Sequence, residues 1–116
     1  MIDSVPQFLQ GAFAFAGSGY DSPVPFADSL AYSVPPTKRA QLIYFRGGNS
    51  SGEMVDVILY REGKVMRHFP IGAHGALHVP LAVVEDLEPD QKLSFRVAAP
   101  AGTNGTLVID VGLIEI

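Results

Sequence analysis

The chain has 116 residues, of which 47% are hydrophobic and 17% charged, with a net charge of −4 and no cysteine. This length suits one domain spanning residues 1–116, and the composition is that of a globular protein rather than a disordered one. The lack of cysteine excludes disulfides and thiolate metal sites. The negative charge and the scattered basic residues argue against binding to nucleic acid or an anionic membrane surface, since both require clustered Lys and Arg.

The first third of the chain predicts two strands separated by a long loop. Residues 1–7 are expected to form a frayed arm, because Pro6 limits backbone pairing. Residues 8–15 alternate loosely between apolar and small or polar side chains and predict a strand. Residues 17–28 contain glycines and prolines that interrupt a ladder, whereas residues 30–34 alternate strictly and predict a half-buried strand.

The central third contains the two strongest strand patterns. Residues 41–46 and 54–60 are rich in β-branched and aromatic side chains, and their apolar runs predict strands in the middle of a sheet. The glycine-rich stretch 47–52 is expected to be a loop between them. A turn at 62–63 then leads into a strand over 64–69.

The last third predicts further strands at 73–80, 91–99 and 106–116. Residues 80–87 are ambiguous, because they permit about two helical turns as well as strand or irregular structure. Asn104-Gly105 is a strong hairpin signal. About eight short strands without a long helix predict an all-β fold, an antiparallel β-sandwich that is jelly-roll-like.

Five segments carry a resemblance to known proteins. In order, they are residues 30–35, 42–49, 61–65, 93–97 and 107–114. Their sequence of features resembles the jelly-roll β-sandwich of galactose-binding-like domains and carbohydrate-binding modules, which implies a two-sheet fold and a saccharide ligand. Such modules typically carry stacking aromatics, often Trp, and an acidic first strand that holds structural calcium. This chain has no Trp, and residues 8–15 contain no acid.

Seven residues are candidates for contacting a small polar ligand. They are Tyr44, Arg46, Asn49, Asp56, Tyr60, Arg96 and Asp110. Most of them fall on the polar faces of predicted strands, and if these faces align they form a surface able to stack on and hydrogen-bond a sugar. The alternative is that the charged groups pair across the ladder and keep the sheet soluble. Strand register decides between the two, because a slip of one residue moves every side chain to the other face.

The sequence predicts no metal site, no cofactor and no catalytic residue. His74 and His78 lie four residues apart, and on an extended strand that separation is about 13 Å, too far for one zinc ion. No serine lies in a nucleophile-elbow motif, and the glycine-rich stretch 47–52 has no lysine and does not lead into a helix.

The sequence therefore predicts a non-enzymatic domain, with two possible roles. The first is interaction or assembly, because aromatic residues crowd the first quarter of the chain and the closing strand is nearly all apolar; this predicts a homodimer through the N-terminal segment or the closing strand. The alternative is a binding module for a saccharide or another small polar ligand. The start of the chain lacks the basic region of a secretory signal, which predicts a cytoplasmic location.

Overall fold

The computed structural model describes residues 4–116 as two antiparallel sheets packed face to face. Alternating side chains give each sheet one apolar face, and packing these faces together removes both from water. The strands are β1 (Val5–Ala16), β2 (Val24–Pro25), β3 (Tyr32–Ser33), β4 (Ala40–Asn49), β5 (Val55–Arg61), β6 (Lys64–Ile71), β7 (Ala76–Pro80), β8 (Asp86–Leu87), β9 (Lys92–Ala98) and β10 (Asn104–Glu115). Among the described residues the helical element is a 3₁₀ turn at Asp28–Leu30, and no helix in this part of the chain is long and apolar enough to cross a membrane. The predicted all-β sandwich is confirmed.

Each sheet joins strands that are distant in the sequence. The first sheet has the order β1-β10-β4-β7, and β8 also pairs with β4. The second sheet has the order β2-β9-β5-β6, and β3 also pairs with β9. The apolar runs of β4 and β5 lie inside their sheets, as predicted, because strands with partners on both edges are the most completely buried.

The core lies between the sheets and is built by every second residue of the long strands. From β10 it receives Leu107, Ile109, Val111 and Leu113, all almost fully buried. Phe45 of β4 stacks on Phe69 of β6 with ring centroids 4.0 Å apart and planes 5° from parallel. This stack joins the two sheets, since the two rings come from opposite sides of the core.

Two predicted turns are wrong. Residues 50–52 of the predicted loop do lie outside any strand, but Gly47, Gly48 and Asn49 continue strand β4, because β10 pairs with all three and β7 pairs with the two glycines. Asn104 and Gly105 begin strand β10, where they pair with the end of β1. The chain reverses just before them, at residues 100–103, where Gly102 has a φ of 84° that few other residues adopt.

The predicted frayed arm is also partly wrong. Residues 5–7 belong to β1 and pair with residues 113–115 of β10. Pro6 is tolerated because β1 lies at the edge of its sheet. Residues 1–3 of the predicted arm lie outside the described residues.

The aromatic residues of the first quarter do not form one exposed patch, which removes most of the reason for predicting assembly. Phe15 is buried in the core, and Phe13 and Phe26 pack against the core. The rings of Phe13 and Phe26 meet edge to face, with centroids 6.1 Å apart. Phe8 and Tyr20 are exposed. The closing strand β10 lies between β1 and β4, so it has no free edge for a partner.

A buried carboxylate joins the sheets at one end of the sandwich. Glu115 is buried, accepts a hydrogen bond from the Tyr32 hydroxyl across the core, and accepts another from Gln7 Nε2 at 3.3 Å. Burial raises the pKa of Tyr32 well above the ordinary value for tyrosine, and the hydrogen bond to Glu115 and the negative charge of Glu115 raise it further. These contacts give Glu115 partners in both sheets, and they identify it as a structural residue.

Candidate ligand-binding site

The outer face of the first sheet, which points away from the core, carries three rows of side chains that run across four strands. The register sets β1, β10, β4 and β7 side by side, so that each row takes one residue from each strand. The aromatic row is Phe8, Gly112, Tyr44 and Pro80; the polar row is Gln10, Asp110, Arg46 and His78; the small row is Ala12, Val108, Gly48 and Ala76. A band of hydrogen-bonding groups therefore lies between an aromatic band and a band of small side chains.

Asp110 is the centre of the polar row. Its Oδ1 accepts hydrogen bonds from the Tyr44 hydroxyl at 2.9 Å and from Gln10 Nε2 at 3.1 Å. Its Oδ2 lies 3.6 Å from Arg46 Nη1. The Arg46 side chain is 60% exposed, and a guanidinium has five N–H donors, so most of its donors face solvent. Asp110 thus fixes the positions of three side chains that reach it from the two neighbouring strands, β1 and β4.

Tyr44 lies directly over Gly112. A Cβ atom at position 112 would come within 2.1 Å of Tyr44 Cε2, so only glycine leaves room for the ring. The other side of Tyr44 meets the His78 ring edge to face, with centroids 6.3 Å apart. Partial burial of Tyr44, the hydrogen bond to Asp110 and the charge of Asp110 raise the pKa of Tyr44. The tyrosine therefore stays neutral at physiological pH, with its hydroxyl donating to Asp110.

An open depression of about 470 Å³ lies along the polar and small rows. Its lining includes Arg46, His78 and Asp110 on one side and Gly48, Ala76 and Val108 on the other. A Cβ atom at Gly48 would meet nothing within 4 Å, so this glycine forms an open floor. The volume falls within the range of small-molecule sites, and the mixture of apolar floor and a few polar groups is typical of them.

The seven predicted residues do not form one surface. Tyr44, Arg46 and Asp110 come together on the outer face of the first sheet. Asp56, Tyr60 and Arg96 lie on the outer face of the second sheet, on the opposite side of the sandwich. Their strands pair in different sheets, which the alternation of side chains cannot reveal because it gives only the face of each strand.

The outer face of the second sheet is occupied by its own side chains. The Arg96 guanidinium lies 4.9 Å from the centroid of the Tyr60 ring, a cation–π contact. Asp56 Oδ2 is 2.7 Å from His68 Nδ1. Beneath these groups Ile58 is only 3% exposed. Here the alternative interpretation fits best, in which polar side chains pair with one another and cover apolar ones.

Asn49 holds a turn rather than facing solvent. Its side chain is buried, and its Nδ2 donates to the carbonyl oxygens of Glu53 at 2.8 Å and Gly72 at 3.1 Å. Its Oδ1 accepts from the backbone N–H and the hydroxyl of Ser51, at 2.9 and 2.8 Å. All the polar groups of the amide are used within the protein, so Asn49 has a structural role.

Sequence reasoning missed three residues of this face. Gln10 supports Asp110, His78 borders the depression, and Val108 forms part of its floor. His78 was considered only as a metal ligand together with His74, which lies in the turn before β7 with a φ of 51°. The outward parity of Val108 with Asp110 was visible in the sequence, but its pairing with Gly48 of β4 was not.

Comparison with known proteins shows that this fold is similar to those of two carbohydrate-binding modules and of part of a viral chain. No family model and no curated protein matches the chain. A CBM36-1 domain of a multidomain xylanase from the hindgut metagenome of Trinervitermes trinervoides is similar, with a TM-score of 0.61, 16% identity, and coverage of 95% of this chain and 96% of that one. A family 35 carbohydrate-binding module from Clostridium thermocellum has a TM-score of 0.52 at 14% identity, over 94% of this chain and 97% of that one.

A chain of the infectious bursal disease virus Gt strain is also similar. Its TM-score is 0.51 at 11% identity, over 97% of this chain but only 32% of the viral one. At identities this low, the structural similarity establishes the sandwich fold and nothing further. The function has to be argued from the residues of the site.

Proposed function

We propose that this domain binds a saccharide in the depression on the outer face of the first sheet. The observation that carries the proposal is the polar row beside the small row. Asp110, Arg46 and His78, which come from three strands, line one side of the open depression of about 470 Å³. On the opposite face of the sandwich, Arg96 lies over Tyr60 and Asp56 Oδ2 contacts His68 Nδ1, so these side chains cover the buried Ile58.

The chemistry of the depression suits a polyhydroxylated ligand. Arg46 supplies several N–H donors in a planar fork, and the carboxylate of Asp110 accepts from hydroxyl groups that approach from the open side. The exposed Val108 and the backbone of Gly48 offer an apolar surface for the C–H face of a sugar ring. Tyr44 and Gln10 hold Asp110 in place, so little side-chain freedom is lost when the ligand binds.

The proposal is for binding without catalysis. Both oxygens of Asp110 already have partners in the protein, and the depression has no second carboxylate among its lining residues to complete an acid–base pair. Two of the similar structures are carbohydrate-binding modules, one of them from a xylanase. They support a saccharide ligand and make xylan the first polymer to test.

We expect Arg46→Ala to weaken binding to soluble xylan by about 10- to 100-fold, the equivalent of losing about 1.5–3 kcal/mol of charge-assisted hydrogen bonding. Affinity electrophoresis in xylan-containing gels would measure the change. Arg46 is 60% exposed, so its replacement should leave the fold intact.

Arg96→Ala is the matched control. It removes the same side chain from the outer face of the second sheet, where Arg96 covers Tyr60. Binding equal to wild type is expected for this variant. Equal loss in both variants, or loss only in Arg96→Ala, would place the ligand elsewhere. If the wild type binds no xylan, mannan, arabinan or β-glucan, the proposed function is wrong.

A further inference from the structure

Strand β1 is the long edge of the first sheet. It contains twelve residues, and within residues 4–116 it pairs with β10 alone. Along its other edge, backbone N–H and C=O groups are therefore presented to solvent, and an edge of this kind readily pairs with another strand.

The other edges carry the features that normally prevent such pairing. Edge strand β6 contains Lys64, Arg67, His68 and Pro70, β7 has only five residues and ends in Pro80, and β2, β3 and β8 have two residues each. Proteins protect their edges with charge, proline and short length. In contrast, β1 has no charged residue, and its one proline, Pro6, lies at its second position. Within the described part of the chain, β1 is therefore the longest edge strand without a charged residue.

The inner face of β1 is incompletely covered. Leu9 and Phe13 pack against the core but remain partly exposed. The corresponding edge of the second sheet consists of the short strands β2 and β3, which bridge only two residues each to β9. A further strand added to β1 would cover these two side chains and satisfy the open backbone groups together.

The sequence of β1 is complementary to itself when two copies run antiparallel. With Gly11 at the centre, Leu9 faces Phe13 of the second copy on the inner side. Gln10 faces Ala12 and Phe8 faces Ala14 on the outer side. Every facing pair is uncharged, and each pair occurs twice about the axis, as a twofold interface requires.

We propose that β1 binds β1 of a second copy of this chain in an antiparallel arrangement, with the twofold axis near Gly11. The two first sheets then join into one continuous sheet, with both outer faces on the same side. If the proposed function holds, two depressions face one polymer, and binding gains from bivalency. The dimer itself does not depend on the proposed function.

Light scattering after size-exclusion chromatography, from low to high micromolar protein, tests the dimer. Wild type is expected to form a concentration-dependent dimer, and Ala12→Lys is expected to remain a monomer. Two lysines at this position would lie diagonally across the axis, within reach of each other, and like charges there repel. Thr106→Lys is the control: Thr106 is exposed on the same outer face but lies on β10, where it pairs with Ala14. This control is expected to dimerise as wild type does.

Mixing complementary variants identifies the occupant of the edge. Ala12→Glu alone should also be monomeric, and an equimolar mixture of Ala12→Lys and Ala12→Glu should recover the dimer, because opposite charges then meet. A wild type that is monomeric throughout would overturn the proposal, and so would an Ala12→Lys variant that still dimerises. A mixture that fails to recover the dimer would also contradict it.

Discussion

Replacing Phe45 with alanine is expected to lower the free energy of unfolding by about 4 kcal/mol, near the middle of the range for large buried aromatic side chains. Phe45 is fully buried and stacks on Phe69 with centroids 4.0 Å apart, so its removal leaves a cavity between the two sheets. The total stability of a domain of this size is about 5–15 kcal/mol, so the variant should be close to unfolding at ambient temperature. Urea denaturation followed by circular dichroism would measure the change.

Phe8→Ala is the control for this prediction. Phe8 lies on the outer face of the first sheet and is 57% exposed, so its loss should change the stability by no more than about 0.5 kcal/mol. A cost below about 1.5 kcal/mol for Phe45→Ala, well under the usual range for such a substitution, would show that the core does not pack as described.

Asn49→Ala is expected to destabilise the domain by about 3 kcal/mol, because it leaves several buried polar groups without partners. The carbonyl oxygens of Glu53 and Gly72 lose a donor, and the N–H of Ser51 loses its acceptor. The affected turn joins β4 to β5 and so joins one sheet to the other. Thermal and urea unfolding of the variant would both report this loss.

Asn104→Ala provides the comparison, because Asn104 is exposed and makes one long hydrogen bond of 3.5 Å to Gly102. Its replacement should cost less than about 0.5 kcal/mol. If Asn49→Ala proved equally mild but abolished saccharide binding, Asn49 would belong to the ligand site, as the sequence first suggested.

Much of the fold follows from the sequence because alternation reports directly on burial. The patterns at residues 41–46, 54–60, 91–99 and 106–116 each predicted a strand that the structure contains, and the apolar runs of the first two correctly predicted strands inside a sheet. Boundaries were less predictable. Asn104-Gly105 is a strong turn signal in isolation, yet its pairing with the end of β1 draws it into a strand, because tertiary contacts outweigh local preference.

The candidate site was only partly predictable, for a related reason. The sequence gives Tyr44, Arg46 and Asp110 an outward orientation, but it gives the same orientation to Asp56 and Arg96. Only the pairing of strands, which depends on contacts between residues far apart in the chain, assigns the two groups to opposite faces. Asn49 was misjudged because its partners Glu53 and Gly72 come together only when the turn between β4 and β5 packs on the end of β6.

The proposed saccharide site lies on the outer face of the first sheet. The most direct test is a titration of the isotope-labelled domain with a soluble xylan oligosaccharide, followed by backbone amide chemical shifts. The largest changes are expected to cluster at Arg46, Gly48, His78 and Asp110, while amides around Arg96 are expected to stay unchanged. Changes confined to the loops at residues 17–23 and 50–54, or to the outer face of the second sheet, would contradict the proposed site.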